Sequence, residues 1–429
     1  MERALEALRS GAWLTPPRIR LIAIAVLVAS VAGCLSLVLT AHGLIDLKGR
    51  PLGTDFSNVY AAGTYVREGN PAAPFDPAHQ YAREQQIFGA ATPFYGWHYP
   101  PFFLFIAAAL ALLPYPLALA VWQALTLCLY VLSIRGIVTS SARPPEESAH
   151  PAPVPTEPAR HGDWLLLAVA FPAVLVNVGH GQNGLFTAAL LGAALLKLDR
   201  RPLLAGILFG LLAYKPQFGL MIPLALAAGG RWRTVAAAAA TVALLCLATT
   251  LVFGPHVWRA FLDSTRFTRI VALEEGNTGW YKIQSVFAWA RMWGAPVPLA
   301  YALQSAVTVA LGAALVRLWR ASAPAAIKAA ALCLATFLAT PYAFDYDMMA
   351  LAPAIAFFAV DGFARGFGPW EKTALAALWA TPLIVRFVAH ATLIPLGVPA
   401  MLVIFVLLLR RSTDQFASAM AISRAFLLK

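Results

Sequence analysis

Apolar residues run along this chain in long blocks broken by short polar or basic stretches, a pattern written for a lipid solvent rather than for a water-facing surface. The blocks fall near 19–41, 101–113, 116–138, 163–178, 183–198, 202–213, 216–229, 233–254, 297–319, 324–340, 345–360, 373–389 and 395–410. A helix needs about 20 apolar residues to cross the hydrocarbon core, and several blocks are shorter, so paired segments are expected to tilt, break or re-enter. The predicted fold is all-α, a polytopic transmembrane helical bundle of about 11–13 spans forming one integral-membrane domain over 1–429.

Arg3, Arg9, Arg18 and Arg20 precede the first block and place the amino terminus in the cytoplasm. Val31-Ala32-Gly33-Cys34 has the look of a lipoprotein cleavage box, but the apolar run continues to Leu39 and outlasts a signal-peptide core, so it reads as a span. Basic clusters at Lys197–Arg201, Arg231–Arg233, Arg317 with Arg320, Arg365 with Lys372, and Arg410-Arg411 fall in alternate loops and mark one face as cytoplasmic. Two full spans at 101–113 and 116–138 would invert that parity. An odd number of crossings between His98 and Arg135 restores it.

The opposite loops are the polar ones. A long loop at 42–100 opens with Gly53-Thr54-Asp55-Phe56, then places Phe56, Val59, Tyr60, Gly63 and Val66 at helical spacing, a short interfacial helix. Asp76-Pro77, an N-cap followed by a first-turn proline, starts a second helix running to Phe88. The loop returns through the aromatic stretch Phe94 to Tyr99, a membrane-interface belt or a sugar-stacking surface. Further loops on that face hold Gly179–Asn183, Tyr214–Gln217, an extracytoplasmic loop at 255–296, and Thr340–Asp347. The stretch 139–161 is a Pro-rich linker.

Composition agrees and excludes alternatives. Of 429 residues, 60% are hydrophobic and 12% charged, which does not describe a soluble enzyme. The net charge of +12 lies mostly at predicted cytoplasmic helix ends, so no nucleic-acid partner is expected. Cys34, Cys128, Cys246 and Cys333 sit inside apolar blocks without metal or disulfide spacing.

Asp55 has two readings. An aspartate ahead of a helix is an N-cap; a carboxylate just outside the first span, held by two interfacial helices, is also placed to meet a substrate with its head in water and its tail in lipid. This arrangement resembles the GT-C class of integral-membrane glycosyltransferases. More narrowly it resembles glycosyltransferase family 87, a mannosyltransferase-like family using polyprenyl-phosphate sugars. The matching features are Gly53-Thr54-Asp55-Phe56, His98-Tyr99-Pro100-Pro101, Gly181-Gln182-Asn183-Gly184-Leu185, Lys215-Pro216-Gln217 and Thr340-Pro341-Tyr342, in the family's order. Where members tend to show a tryptophan and a histidine pair, this chain has Phe344, Asp345, Tyr346 and Asp347. The departure bears on donor and acceptor more than on reaction class.

The resemblance implies transfer of mannose or another sugar from a polyprenyl-phosphate donor to a lipid or glycan acceptor, with inversion, at the outer face of the inner (plasma) membrane. Asp55 is then the general base. Lys215, in apolar surroundings, either snorkels to the interface or meets the donor phosphate. Arg266, Arg269, Lys282, His98 and His180 are further phosphate candidates, with solvated loop charges as the plain alternative. Gln182 and Asn183 are candidates for sugar hydroxyls and equally suited to capping helix ends, and Gln217, Tyr99 and Tyr342 are further substrate-binding candidates. Asp345-Tyr346-Asp347 has a DxD pattern, but two carboxylates do not fill an oxygen-ligand shell, so no cofactor is expected and Asp345 is placed among the donor-site residues. A secondary transporter or flippase is the alternative; it would carry repeated halves and midplane charges, whereas here polar residues collect on one side.

Overall fold

The structure is a computed structural model describing residues 1–140 and 163–427, with side chains through Thr413. The Pro-rich linker predicted at 139–161 lies, beyond Ser140, outside the described residues. Regular structure among the described residues is all helical, with three isolated bridges and no strand.

Six helices are long and apolar enough to cross a membrane: Pro16–Leu39, Tyr115–Ser140, Trp232–Phe253, Val297–Arg320, Asp345–Arg365 and Glu371–Thr392. This is a multi-pass membrane protein. The block predicted at 163–178 is two helices, Asp163–Val169 and Pro172–His180, bent by 45° where Pro172 interrupts the hydrogen-bond ladder. Most other blocks are shorter helices, such as Gly184–Lys197 and Ala325–Leu338. The block at 101–113 does not cross. Its helical part, Pro101–Leu110, rises only about 15 Å, half the hydrocarbon thickness, before Pro114 and the long helix from Tyr115. Tyr115–Ser140 is the helix there that is long and apolar enough to cross.

Burial separates a lipid-facing shell from a core. Pro16–Leu39 buries only Ala23, its leucines and valines facing outward, whereas Ala325–Leu338 buries 11 of its 14 residues. Small residues let the core helices approach. Gly206 and Gly210, one turn apart on Pro202–Leu211, face Trp232–Phe253 so closely that a Cβ on either would meet backbone or side-chain atoms within 2.6 Å.

The carboxyl-terminal basic pair needs a correction. Arg411 is buried instead of marking a solvated loop: its Nε donates to Asp361 at 2.6 Å, its Nη1 to Glu371 at 2.7 Å. Two carboxylates buried inside the bundle require that cation. The expected loop at 255–296 is also largely ordered, carrying His256–Phe267, a π-helical turn Thr268–Glu274 and Val286–Met292.

In the first loop the two expected helices are present as Phe56–Arg67 and Pro77–Phe88. Asp76 caps the second, accepting from the amides of Ala78 at 2.8 Å and His79 at 3.1 Å. Gly63 brings the first against Pro101–Leu110; a Cβ there would lie 2.1 Å from the Ala107 carbonyl oxygen.

Candidate active site

The polar loops that the basic clusters set apart meet at one end of the bundle. Asp55 is the hub. Its amide donates to the His180 carbonyl at 3.0 Å, and beside it the Thr54 hydroxyl and His180 Nδ1 lie 2.6 Å apart. The Asp55 side chain makes no cap bond to the helix it precedes. Its Oδ2 instead accepts from Gln182 Nε2 at 2.7 Å, and the Gln182 carbonyl is occupied by the Asn183 amide at 3.2 Å. The plain N-cap reading of Asp55 is thereby replaced by a carboxylate aimed across to the His180–Asn183 turn.

That turn needs glycine. Gly181 has φ 63°, and a Cβ there would sit 2.6 Å from the Phe56 Cβ, so the turn and the Asp55 loop touch through it. Asn177 ties the turn to the carboxyl-terminal loop, accepting from the Gly184 amide and donating to the Tyr346 carbonyl, both at 2.8 Å. Tyr214 donates to the Asn183 carbonyl at 3.2 Å.

The two acids of the DxD pattern serve different cations. Asp347 pairs with Lys215, both almost fully buried, and takes the Phe344 amide at 3.0 Å with its other oxygen. Asp345 accepts from Arg386 Nε at 2.6 Å. Among the described residues no group of three or more His, Cys, Asp or Glu converges as a metal-ligand set. Lys215 does not snorkel to the interface: it is buried and its ammonium pairs with Asp347.

Arg386 sits in an apolar helix and was not among the residues the motifs single out. Lys282 lies close to it. Burial and the Arg386 charge lower the Lys282 ammonium from its ordinary range, opposed by Asp345 and Asp55. Lys282 adjoins the Ile283–Phe344 bridge and Arg386 bonds Asp345, so both cations stand on the loop that Asn177 ties to the His180–Asn183 turn. Burial keeps the Tyr99 and Tyr342 phenols protonated, well above their usual range, so both act there as neutral donors.

Other candidates stand further out. Burial pulls His98 down to about 4, leaving a neutral imidazole whose Nδ1 lies 2.8 Å from the Thr268 hydroxyl. It ties the aromatic stretch to the π-helical turn. Arg266 and Arg269 are exposed, and Arg269 faces Glu274 at 3.3 Å. Gln217 lies half-buried in the turn Pro216–Phe218. The aromatic stretch itself is held by Glu84, buried in the second loop helix, whose carboxylate accepts from the amides of Tyr95 at 2.9 Å and Gly96 at 3.1 Å.

Fold and site together describe an integral-membrane helical bundle with a carboxylate, two cations and several phenols gathered at one end. The family model for glycosyltransferase family 87 matches residues 97–341, more than half of the chain, and the protein belongs to that family of membrane glycosyltransferases. The match takes in Trp97–Tyr99 of the aromatic stretch, the His180–Asn183 turn, Lys215 and Lys282; Asp55, Tyr342, Asp345 and Arg386 lie outside it, and their case rests on geometry. Comparison with curated proteins finds no match, and neither does comparison with solved structures.

Proposed function

We propose that the protein transfers one sugar, mannose or a related hexose or pentose, from a polyprenyl-phosphate donor to a lipid or glycan acceptor at the extracytoplasmic face of the inner (plasma) membrane. The observation that carries this reading is the Asp55 carboxylate, oriented by Gln182 on the turn that Asn177 ties to the loop bearing Asp345 and its partner Arg386. Transfer from a lipid phosphate needs both poles. The acceptor hydroxyl must lose a proton as it attacks the anomeric carbon, and the departing phosphate must be met by positive charge.

Asp55 takes that proton. Gln182 donates to one carboxylate oxygen only, which fixes the side chain's orientation and leaves the other oxygen for the acceptor hydroxyl. A single displacement from the face opposite the phosphate inverts the anomeric centre. Lys282 and the guanidinium nitrogens of Arg386 beyond Nε receive the phosphate, with Asp345 holding Arg386 in place. Tyr99, Tyr342 and the amides of Gln182 and Asn183 are neutral partners for sugar hydroxyls.

The test is incubation of purified protein with polyprenyl-phosphate-mannose and candidate lipid acceptors, with products read by mass spectrometry. Consumption of donor with a mannosylated lipid supports the proposal. Solute uptake into sealed vesicles with no donor consumed would favour a transporter instead.

A further inference from the structure

At the end of the core away from Asp55 lies a cavity of about 820 Å3. The helix Gly184–Lys197 runs between the two. Its first residue packs beside Asn177 and Tyr346, and its 14 residues carry Lys197 about 20 Å away, to the cavity rim. Leu196, Ala326, Ala329 and Phe357 form apolar wall; Lys197, Arg200 and Arg201 stand at the mouth.

The acid at this rim among the described residues, Asp199, is engaged by Arg231 at 2.5 Å. Lys197, Arg200 and Arg201 meet no carboxylate among the described residues. Basic residues at a helix carboxyl end are accounted for by the helix dipole and by the cytoplasmic bias of loop charge. Neither accounts for an open apolar volume directly behind them. Three cations that meet no carboxylate among the described residues, in front of an apolar wall, fit an anion that carries a hydrocarbon chain. Inorganic phosphate would satisfy the mouth alone.

We infer that this cavity binds an anionic phospholipid of the leaflet beside the basic loops, its headgroup phosphate on Lys197, Arg200 and Arg201 and its upper acyl chain against Leu196, Ala326 and Phe357. The site is separate from the sugar-transfer centre and takes lipid from the other side of the bundle.

Full-length protein, stripped of lipid in detergent and mixed with equal phosphatidylglycerol and phosphatidylcholine, is examined by native mass spectrometry for retained lipid. Basic residues at a membrane surface each strengthen anionic-lipid binding several-fold, so the parent should retain phosphatidylglycerol over phosphatidylcholine by about tenfold or more. The triple variant K197Q/R200Q/R201Q should bring the two to parity. Ala326→Phe, which fills the apolar wall and leaves every charge in place, should also abolish retention. Equal retention of the two lipids by the parent would overturn the inference. So would undiminished phosphatidylglycerol on Ala326→Phe, the mark of a general basic surface, or displacement of the lipid by millimolar inorganic phosphate.

Discussion

The Lys215–Asp347 pair separates two roles for a lysine that the motifs present as a phosphate ligand. Its side chains are 4% and 2% exposed, so removing one partner strands the other charge in low dielectric. That loss costs about 3–5 kcal/mol when a buried pair is broken. Lys215→Met should lower stability by that amount, because Asp347 keeps the Phe344 amide on one oxygen and has no cation for the other. Lys215→Met combined with Asp347→Asn removes both charges, and the asparagine carbonyl still takes the Phe344 amide. The double variant should regain all but about 1–2 kcal/mol; with Asp347→Asn alone stranding Lys215 at a cost like that of Lys215→Met, the coupling energy is about 4 kcal/mol or more. Denaturant titration of the four proteins in one detergent measures the cycle. Sugar transfer by the double variant should stay within about tenfold of the parent, because Lys215 holds the loop rather than the donor. Coupling below about 0.5 kcal/mol, with transfer lost at unchanged stability, would refute the structural role and return Lys215 to the phosphate.

Two further perturbations test the first loop. Burial raises the Glu84 carboxyl from 4.5 to about 7 against the opposing bonds from Tyr95, Gln80 and Gly96, so the folded state holds this proton more tightly than the unfolded chain. Its stabilising contribution is complete below pH 4.5 and is lost as pH rises to about 7, roughly 3 kcal/mol in all. Stability against pH should fall across that window in the parent and flatten in Glu84→Gln; equal slopes in both would contradict the assignment. Gly63→Ala drives a Cβ to 2.1 Å from the Ala107 carbonyl oxygen, and should cost about 1–3 kcal/mol in thermal unfolding, with an unchanged midpoint counting against this packing.

Much of the architecture is legible along the chain because a bilayer reads hydrophobic length. The six long helices follow from that, as does the capped helix at Asp76-Pro77, whose signal is confined to neighbouring residues. The convergence of the Asp55, His180 and Tyr342 loops was implied by the alternation of basic clusters. What stayed hidden are partnerships across distance. Lys215 and Asp347 are 132 positions apart, and no periodicity connects them. Arg386 is missed because a motif search does not look inside an apolar block, yet it is the one charged residue between Lys372 and His390, and an ionisable group in such a segment is a functional signal in its own right. The 255–296 helices are short and mixed in polarity, so hydropathy averages them into a loop. Asp55 was found by position, but its tie to Gln182 required the turn at Gly181, which only the folded backbone displays.

The most direct test concerns the Asp55 carboxylate in single-turnover transfer from polyprenyl-phosphate-mannose. Asp55→Asn preserves the shape, the bond from Gln182 and the amide bond to His180, while removing the base. The predicted result is a transfer rate lower by about 10²–10⁴, with donor binding and folding kept. A rate within about threefold of the parent would contradict Asp55 as the base.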